Sequence, residues 1–65
     1  MSYYSKFSNY EVQTSDGFVK WFTKRENAIE FYDSFGVDYE ADAEPGDWIR
    51  LVNSKTKEVL LETVF

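Results

Sequence analysis

Residues 10–22 read YEVQTSDGFVKWF, and this stretch decides the fold. Its first part, Tyr10–Thr14, alternates apolar and polar residues with the period of a half-buried β-strand. Asp16-Gly17 follows, and this dipeptide between two alternating runs is among the strongest hairpin signals in a sequence. Residues 18–22 are then the returning strand. The stretch therefore predicts an antiparallel β-hairpin.

The length of the turn decides which side chains of the returning strand share a face with Val12. With a two-residue turn, Val19 and Trp21 take that face. With a three-residue turn, Phe18 and Phe22 take it instead. In either register, one face of the strand carries two large apolar side chains that a single helix leaves uncovered. An exposed apolar patch of this kind often marks an interface.

The segment that precedes the hairpin offers a second interpretation of this apolar face. It contains three aromatic residues, Tyr3, Tyr4 and Phe7. If these side chains fold back over the sheet, the apolar face is part of the core and not an interface. The sequence leaves both interpretations open.

Residues 23–36 carry the signature of one amphipathic helix. Thr23 and Glu26 have the spacing of a capping box, in which each side chain satisfies a backbone N–H of the first helical turn. Gly36 is expected to end the helix in the left-handed conformation common just past a helix C-terminus. We therefore predict a helix over about residues 24–35. Its apolar stripe, at positions i, i+3, i+4 and i+7, consists of Ala28, Phe31, Tyr32 and Phe35.

The second half of the chain continues as strands. Residues 37–44 alternate strictly between apolar and acidic side chains, which predicts an edge strand or an extended arm. A turn over residues 45–47 follows, and residues 48–52 and 58–64 form a second hairpin. The prediction is a single α+β domain over residues 1–65, with an antiparallel sheet of four or five strands packed on one helix in the order ββα(β)ββ.

The composition argues against catalysis. The 65-residue chain has no His and no Cys, the side chains that most often transfer protons or attack electrophiles near neutral pH. A domain of this size also has little room for a deep cleft. Asp38-x-Glu40-x-Asp42 begins like a calcium loop, but Ala43 and Ile49 stand where such a loop needs Gly and Glu. We therefore expect no enzyme, no catalytic residue, no cofactor and no metal.

The charge indicates the class of partner. Twelve acids and seven bases give a net charge of −5, which repels nucleic-acid phosphates. We expect a host protein with a basic surface as the partner, and no direct binding of nucleic acid. Because the chain has neither a signal peptide pattern nor an apolar run of about 18 residues, we expect a cytoplasmic protein that does not bind membranes. It is expected to be a monomer or a homodimer.

The candidate partner-binding residues are mainly acidic. Carboxylates spaced at the strand interval of about 6.5–7 Å would imitate a row of nucleic-acid phosphates and enter a basic groove. The alternative is that these charges only guard an exposed sheet edge against pairing with other chains. The candidates are Asp38, Glu40, Asp42, Glu44 and Asp47 of the acidic run, Glu26, Glu30 and Asp33 of the helix, and Trp21 of the hairpin.

In general character the chain resembles the small acidic early proteins of bacteriophages. The features that it shares with them are brevity, the absence of Cys, the hairpin of residues 10–22, the capped helix and the acidic run from Asp38 to Asp47. The resemblance implies an inhibitor of a host enzyme or defence complex, which presents an acidic, nucleic-acid-mimicking surface. The alternative is a structural or accessory domain that self-associates through the aromatic sheet face.

Overall fold

A computed structural model describes residues 8–65 of the chain. The elements within this range are β1 Tyr10–Thr14, β2 Val19–Phe22, α1 Arg25–Asp42, β3 Trp48–Asn53 and β4 Val59–Val64. The strands form one antiparallel sheet in the order β2-β1-β3-β4. The predicted α+β class is confirmed, with four strands and not five in the described range. The proposed cover by Tyr3, Tyr4 and Phe7 concerns residues outside it.

The turn between β1 and β2 has three residues. Thr14 N donates a hydrogen bond to the carbonyl of Phe18 at 3.0 Å, so these two residues close the loop. Gly17 completes the loop with φ +100°, in the left-handed region that favours glycine. The longer of the two predicted turns is therefore the one present. It places Phe18 and Phe22 on the helix side of the sheet, and Val19 and Trp21 on the opposite side.

The core lies between α1 and the helix side of the sheet. Ala28 and Tyr32 are the buried residues of the helix, and Phe31 and Phe35 beside them are half-buried. The predicted apolar stripe therefore does face the sheet. The sheet contributes three fully buried side chains, which are Val12, Ile49 and Leu51.

The helix continues through Gly36 and ends at Asp42. The predictions that Gly36 ends the helix and that residues 37–44 form a strand are both wrong. The reason is Tyr39, which follows Phe35 by four positions and extends the apolar stripe, with the two ring centroids 5.9 Å apart. The alternating pattern of residues 37–44 is also compatible with a helix, because Ala and Glu are good helix formers.

The helix begins without the predicted capping box. Arg25 is its first residue, and Lys24 is the N-cap, with an extended backbone and no side-chain hydrogen bond to the helix. Thr23 lies one residue before the cap, and its carbonyl accepts a hydrogen bond from Asn9 Nδ2 at 2.9 Å. A contact with the residue preceding β1, and not a local capping motif, therefore holds the chain where the helix starts.

The sheet face opposite the helix contains a buried carboxylate. Glu11 is only 4% exposed. Its Oε2 accepts a hydrogen bond from Lys57 Nζ at 3.1 Å, and its Oε1 accepts one from Gln13 Nε2 at 2.8 Å. These partners offset the cost of removing the charge from water. Lys57 thereby fastens the β3–β4 turn to β1.

Candidate functional site

The topology collects the acidic run at one end of the molecule. Thr14, the last residue of β1, pairs with Ile49 near the start of β3, and α1 leads from the end of β2 to the start of β3. Ser15 connects these segments, since its Oγ lies 3.2 Å from Tyr39 Oη and donates to Asp47 Oδ1 at 3.1 Å. We call this end the acidic pole; its members are Asp16, Asp38, Glu40, Asp42, Glu44 and Asp47.

The opposite end of the molecule carries most of the bases of the described range. Lys24 and Arg25 lie at the start of α1, and Lys55 and Lys57 lie in the β3–β4 turn. The fold therefore separates opposite charges, so that a chain with a net charge of −5 also has an acidic end and a basic end. A field of this kind orients a charged partner during its approach.

The three acids of the acidic pole that lie on α1 occupy an unfavourable position on that helix. A helix C-terminus carries the equivalent of about −0.5 elementary charge, which favours bases and disfavours acids. The last turn of α1 contains no base, while Asp38, Glu40 and Asp42 lie in its last two turns. Stability of the helix therefore does not account for these carboxylates. The edge-guard alternative is also wrong for these three residues, because they lie on a helix and not on a sheet edge.

The spacing of these carboxylates differs from the predicted single row. Each residue of a helix is rotated by about 100° from the one before. Asp38 follows Phe31 by seven positions and Asp42 by eleven, so both lie on the side of α1 that packs on Phe22 of β2. Glu40 lies on another side, at the border between the cleft and solvent. The helical part of the acidic run thus lies on two sides of α1, and the expected strand-like row of carboxylates is wrong.

A second group of carboxylates lines the solvent-facing side of α1. It extends over about 21 Å, since its first and last members are fourteen residues apart at a rise of about 1.5 Å each. All of its side chains are exposed. We call it the acidic ridge; its members are Glu26, Glu30, Asp33 and Glu40.

The ion pairs of the described range leave these helical acids open. One pair joins Arg50 to Glu62 on neighbouring strands, and the other joins Lys57 to Glu11. Neither pair includes a carboxylate of α1. The acidic ridge and the helical part of the acidic pole are therefore available to a basic partner.

Trp21 lies apart from the acids with which it was predicted to act. It is half-buried on β2, on the sheet face opposite α1, where it faces Glu11 across the β1–β2 pair. Val19 on the same face is 37% exposed. The structure therefore brings together the acidic candidates but assigns Trp21 to a different surface.

A cleft between α1 and β4 was not predicted from the sequence. It has a volume of about 190 Å³. Asp33 and Glu40 of the acidic ridge lie at its mouth, and apolar surface comes from Ile49 of β3 and from Phe65, which follows β4. Gly36, the one glycine of the helix, lines it as well. The sequence signal for the cleft is that glycine, which was interpreted as a helix terminator.

Comparisons with known protein families, with curated proteins and with solved structures find no match to this chain. Within residues 8–65, no helix is long and apolar enough to cross a membrane. The same range contains no group of three or more acidic side chains positioned to hold a metal ion. The charged surfaces and the cleft are therefore the features of the molecule that bear on its function.

Proposed function

We propose that this chain is a non-enzymatic protein-binding module that presents its acidic pole to a basic surface of a partner protein. The observation that supports it most is the position of Asp38, Glu40 and Asp42 in the last turns of a helix that has no base there. Acids at a helix C-terminus reduce its stability. A binding role gives a physical reason for retaining them.

The acidic ridge favours a partner that otherwise binds nucleic acid. Basic grooves for nucleic acid bind a row of phosphates that rises by about 3.4 Å per nucleotide in one strand. The ridge, at about 21 Å, has the length of roughly six such steps. Together with the resemblance to small acidic phage proteins, this supports an inhibitor that occupies the nucleic-acid site of a cytoplasmic host protein.

The test compares three immobilised proteins in a bacterial lysate, namely the natural chain, a test variant and a control variant, with captured proteins identified by mass spectrometry. The test variant combines Asp38→Asn, Asp42→Asn and Glu44→Gln, and the control is Glu58→Gln at the opposite end of the molecule. We expect the natural chain and the control to capture the same basic protein, and the test variant to lose it. Circular dichroism should show that the test variant is folded.

Salt and DNA provide the second part of this test. Charge-driven binding should weaken between 0.1 and 1 M salt, because the Debye length falls from about 10 Å to about 3 Å. Duplex DNA should displace the captured protein if the two compete for one groove. A partner that the neutralised variant retains at both salt concentrations would refute the proposal.

Self-association through the sheet face opposite α1 is the second candidate function. The observation in its favour is exposed apolar surface on that face, where Val19, Val59 and Val64 are 37%, 47% and 61% exposed. Burial of apolar surface does not depend on charge screening. A dimer that persists in sedimentation equilibrium at 1 M salt would support this candidate, and a monomer at both 0.1 and 1 M salt would eliminate it.

A further inference from the structure

The outer edge of β4 presents main-chain N–H and C=O groups that pair with no other strand of the described residues. β4 pairs with β3 alone, since it is the last strand of the sheet formed by residues 8–65. Phe65 N donates to the carbonyl of Asp47 at 2.8 Å, and hydrogen-bonded pairs alternate along an antiparallel ladder. By that alternation, Glu62 and Val64 direct their N–H and C=O groups away from β3. These groups are the template on which an added strand pairs.

The cleft between α1 and β4 lies directly beside this open edge. The helix packs on β1, β2 and β3 and much less on β4. Tyr32 Oη and Thr63 Oγ1, which are 2.7 Å apart, connect the two sides at the base of the cleft. A strand added to β4 would therefore lie at the mouth of the cleft, with every second side chain directed toward it.

Gly36 leaves space in this cleft, and it lowers the stability of the helix. Glycine inside a helix destabilises it by about 0.5–1 kcal/mol relative to alanine. Packing does not require it here, because a Cβ at this position would meet only Ile49 Cδ1, at 4.0 Å. Its φ also lies outside the left-handed region. The space above Ile49 is thus left empty although an alanine would fit.

The mouth of the cleft favours a basic side chain. Asp33 and Glu40 stand three positions before and four positions after Gly36, so one carboxylate lies on each side of the opening. The surface between them is apolar, with Val37 70% exposed. Lys and Arg side chains suit this arrangement, because they place their methylene groups on apolar surface and keep the charge at its border.

We infer that the edge of β4 binds an extended basic segment of the partner as a fifth strand, with a Lys or Arg side chain lying in the cleft between Asp33 and Glu40. This inference rests on the proposed function and specifies how the partner is held. Main-chain hydrogen bonds to Glu62 and Val64 supply affinity, and the cleft supplies the preference for a base.

Charge excludes a second copy of the chain as the occupant. Antiparallel pairing of β4 with its own copy would place both α1 helices on one face of a continuous sheet. Asp33 and Glu40 of one copy would then face the same residues of the other. Each copy also carries a net charge of −5, so the two repel each other. A basic strand meets attraction at the same place.

The experiment uses a ten-residue peptide in which lysine alternates with valine and threonine. Amide hydrogen exchange of the ¹⁵N-labelled chain is measured with and without it. At a peptide concentration of about ten times Kd, exchange at Glu62 and Val64 should slow about tenfold. A peptide with glutamate in place of lysine should have no effect. A lysine peptide with a central proline should bind more weakly, since proline cannot donate to the ladder.

Three sets of variants separate the contributions of the edge and the cleft. Val64→Pro removes an outward N–H but no bond to β3 and should abolish peptide binding, whereas Val64→Thr should retain it. Asp33→Asn and Glu40→Gln should each weaken binding about two- to fivefold, with Glu58→Gln as the unaffected control. Gly36→Ala should weaken binding while the control Ser34→Ala, on the exposed side of α1, should not.

Each alternative result overturns the inference. If the lysine peptide shifts amide signals of the acidic pole but exchange at Glu62 and Val64 is unchanged, the edge is not the site. The capture experiment with Asp38, Asp42 and Glu44 decides the proposed function independently, because none of those residues lines the cleft. If exchange at Glu62 and Val64 slows with increasing protein concentration and no peptide, a second copy occupies the edge.

Discussion

The two outer strands of the sheet are protected to very different degrees. β2 has four residues, and its Lys20 lies 5.8 and 5.7 Å from the ring centroids of Phe22 and Phe31. Short length and a lysine both discourage pairing with another chain. β4 has six residues, contains no base, and leaves Leu61 and Val64 40% and 61% exposed. One outer strand is thus closed to added strands and the other is open.

The position of the helix explains this difference. A helix with its side chains is about 10–12 Å across, and four strands spaced about 4.8 Å apart are wider than that. Aromatic rings hold the helix to the β2 side of the sheet, with the centroids of Phe18 and Phe35 4.8 Å apart and those of Phe22 and Phe31 5.3 Å apart. A single helix that covers the β2 side leaves the β4 side uncovered. The open edge and the cleft therefore have one cause.

Phe31→Ala is expected to have the largest effect, because Phe31 contributes to the stacked rings that close the β2 side. Truncation of a fully buried Phe costs about 3–5 kcal/mol, so we expect about 2–3 kcal/mol for this half-buried ring. Leu61→Ala on the open side should cost clearly less. Urea denaturation of both variants measures the difference in the free energy of unfolding. Equal losses in the two variants would mean that the β2 side is not packed more tightly than the β4 side.

Gly36→Ala should stabilise the domain by about 0.5–1 kcal/mol, because the change favours the helix and the added methyl has room. Thermal or urea denaturation would show this as a higher midpoint. The gain should be larger than that of Ser34→Ala, which lies on the exposed side of the same helix. A loss of stability in Gly36→Ala would mean that the cleft wall is too tightly packed for a methyl group, contrary to the geometry.

Lys20→Thr tests the protection of the β2 edge directly. Loss of the cation–π contacts should cost about 0.5–1 kcal/mol at this exposed position. Self-association should increase as well, since the charge that discourages pairing is gone. Analytical ultracentrifugation would detect it against Lys55→Thr, which makes the same charge change in the β3–β4 turn. If both variants self-associate only as much as the natural chain does, the lysine is not what keeps the edge closed.

Thr23→Ala should have the smallest effect, under about 0.5 kcal/mol, a range usual for surface substitutions. A capping threonine would cost about 0.5–2 kcal/mol when replaced. The structure assigns the contact at this position to the Thr23 carbonyl, which alanine retains. If chemical denaturation shows a loss of more than about 1 kcal/mol in the free energy of unfolding, the Thr23 side chain does cap the helix, and the helix starts one residue earlier.

Much of the fold follows from local signals. Asp16-Gly17 marks the first hairpin, and the strand of residues 48–52 was predicted to within one residue of its end. The helix end was missed because residues 37–44 satisfy two patterns. Alternation indicates a strand, while Phe35 and Tyr39 at i and i+4 indicate a helix. Contacts of Tyr39 with Phe35 and Phe65 select the helix, and those contacts exist only in the folded chain.

The role of the candidate acids in binding stays a prediction. Four of the five acids between residues 37 and 47 are exposed in the structure, and Asp47 is half-buried. Their arrangement was wrong, since it depended on the strand that proved to be a helix. Trp21 was grouped with them, yet the three-residue turn places it on the opposite sheet face.

The sequence by itself determined the α+β class, the hairpins, the apolar stripe of the helix and the excess of acids. These features depend on residues that are close together in the sequence. Turn residues such as Asp-Gly and the period of the apolar positions therefore reveal them directly. Only the tertiary structure decided that the acids form one pole, that Glu11 is buried against Lys57, and that a cleft opens beside β4. The physical reason is that each of these depends on which distant segments pack together and on how much of the sheet a single helix covers.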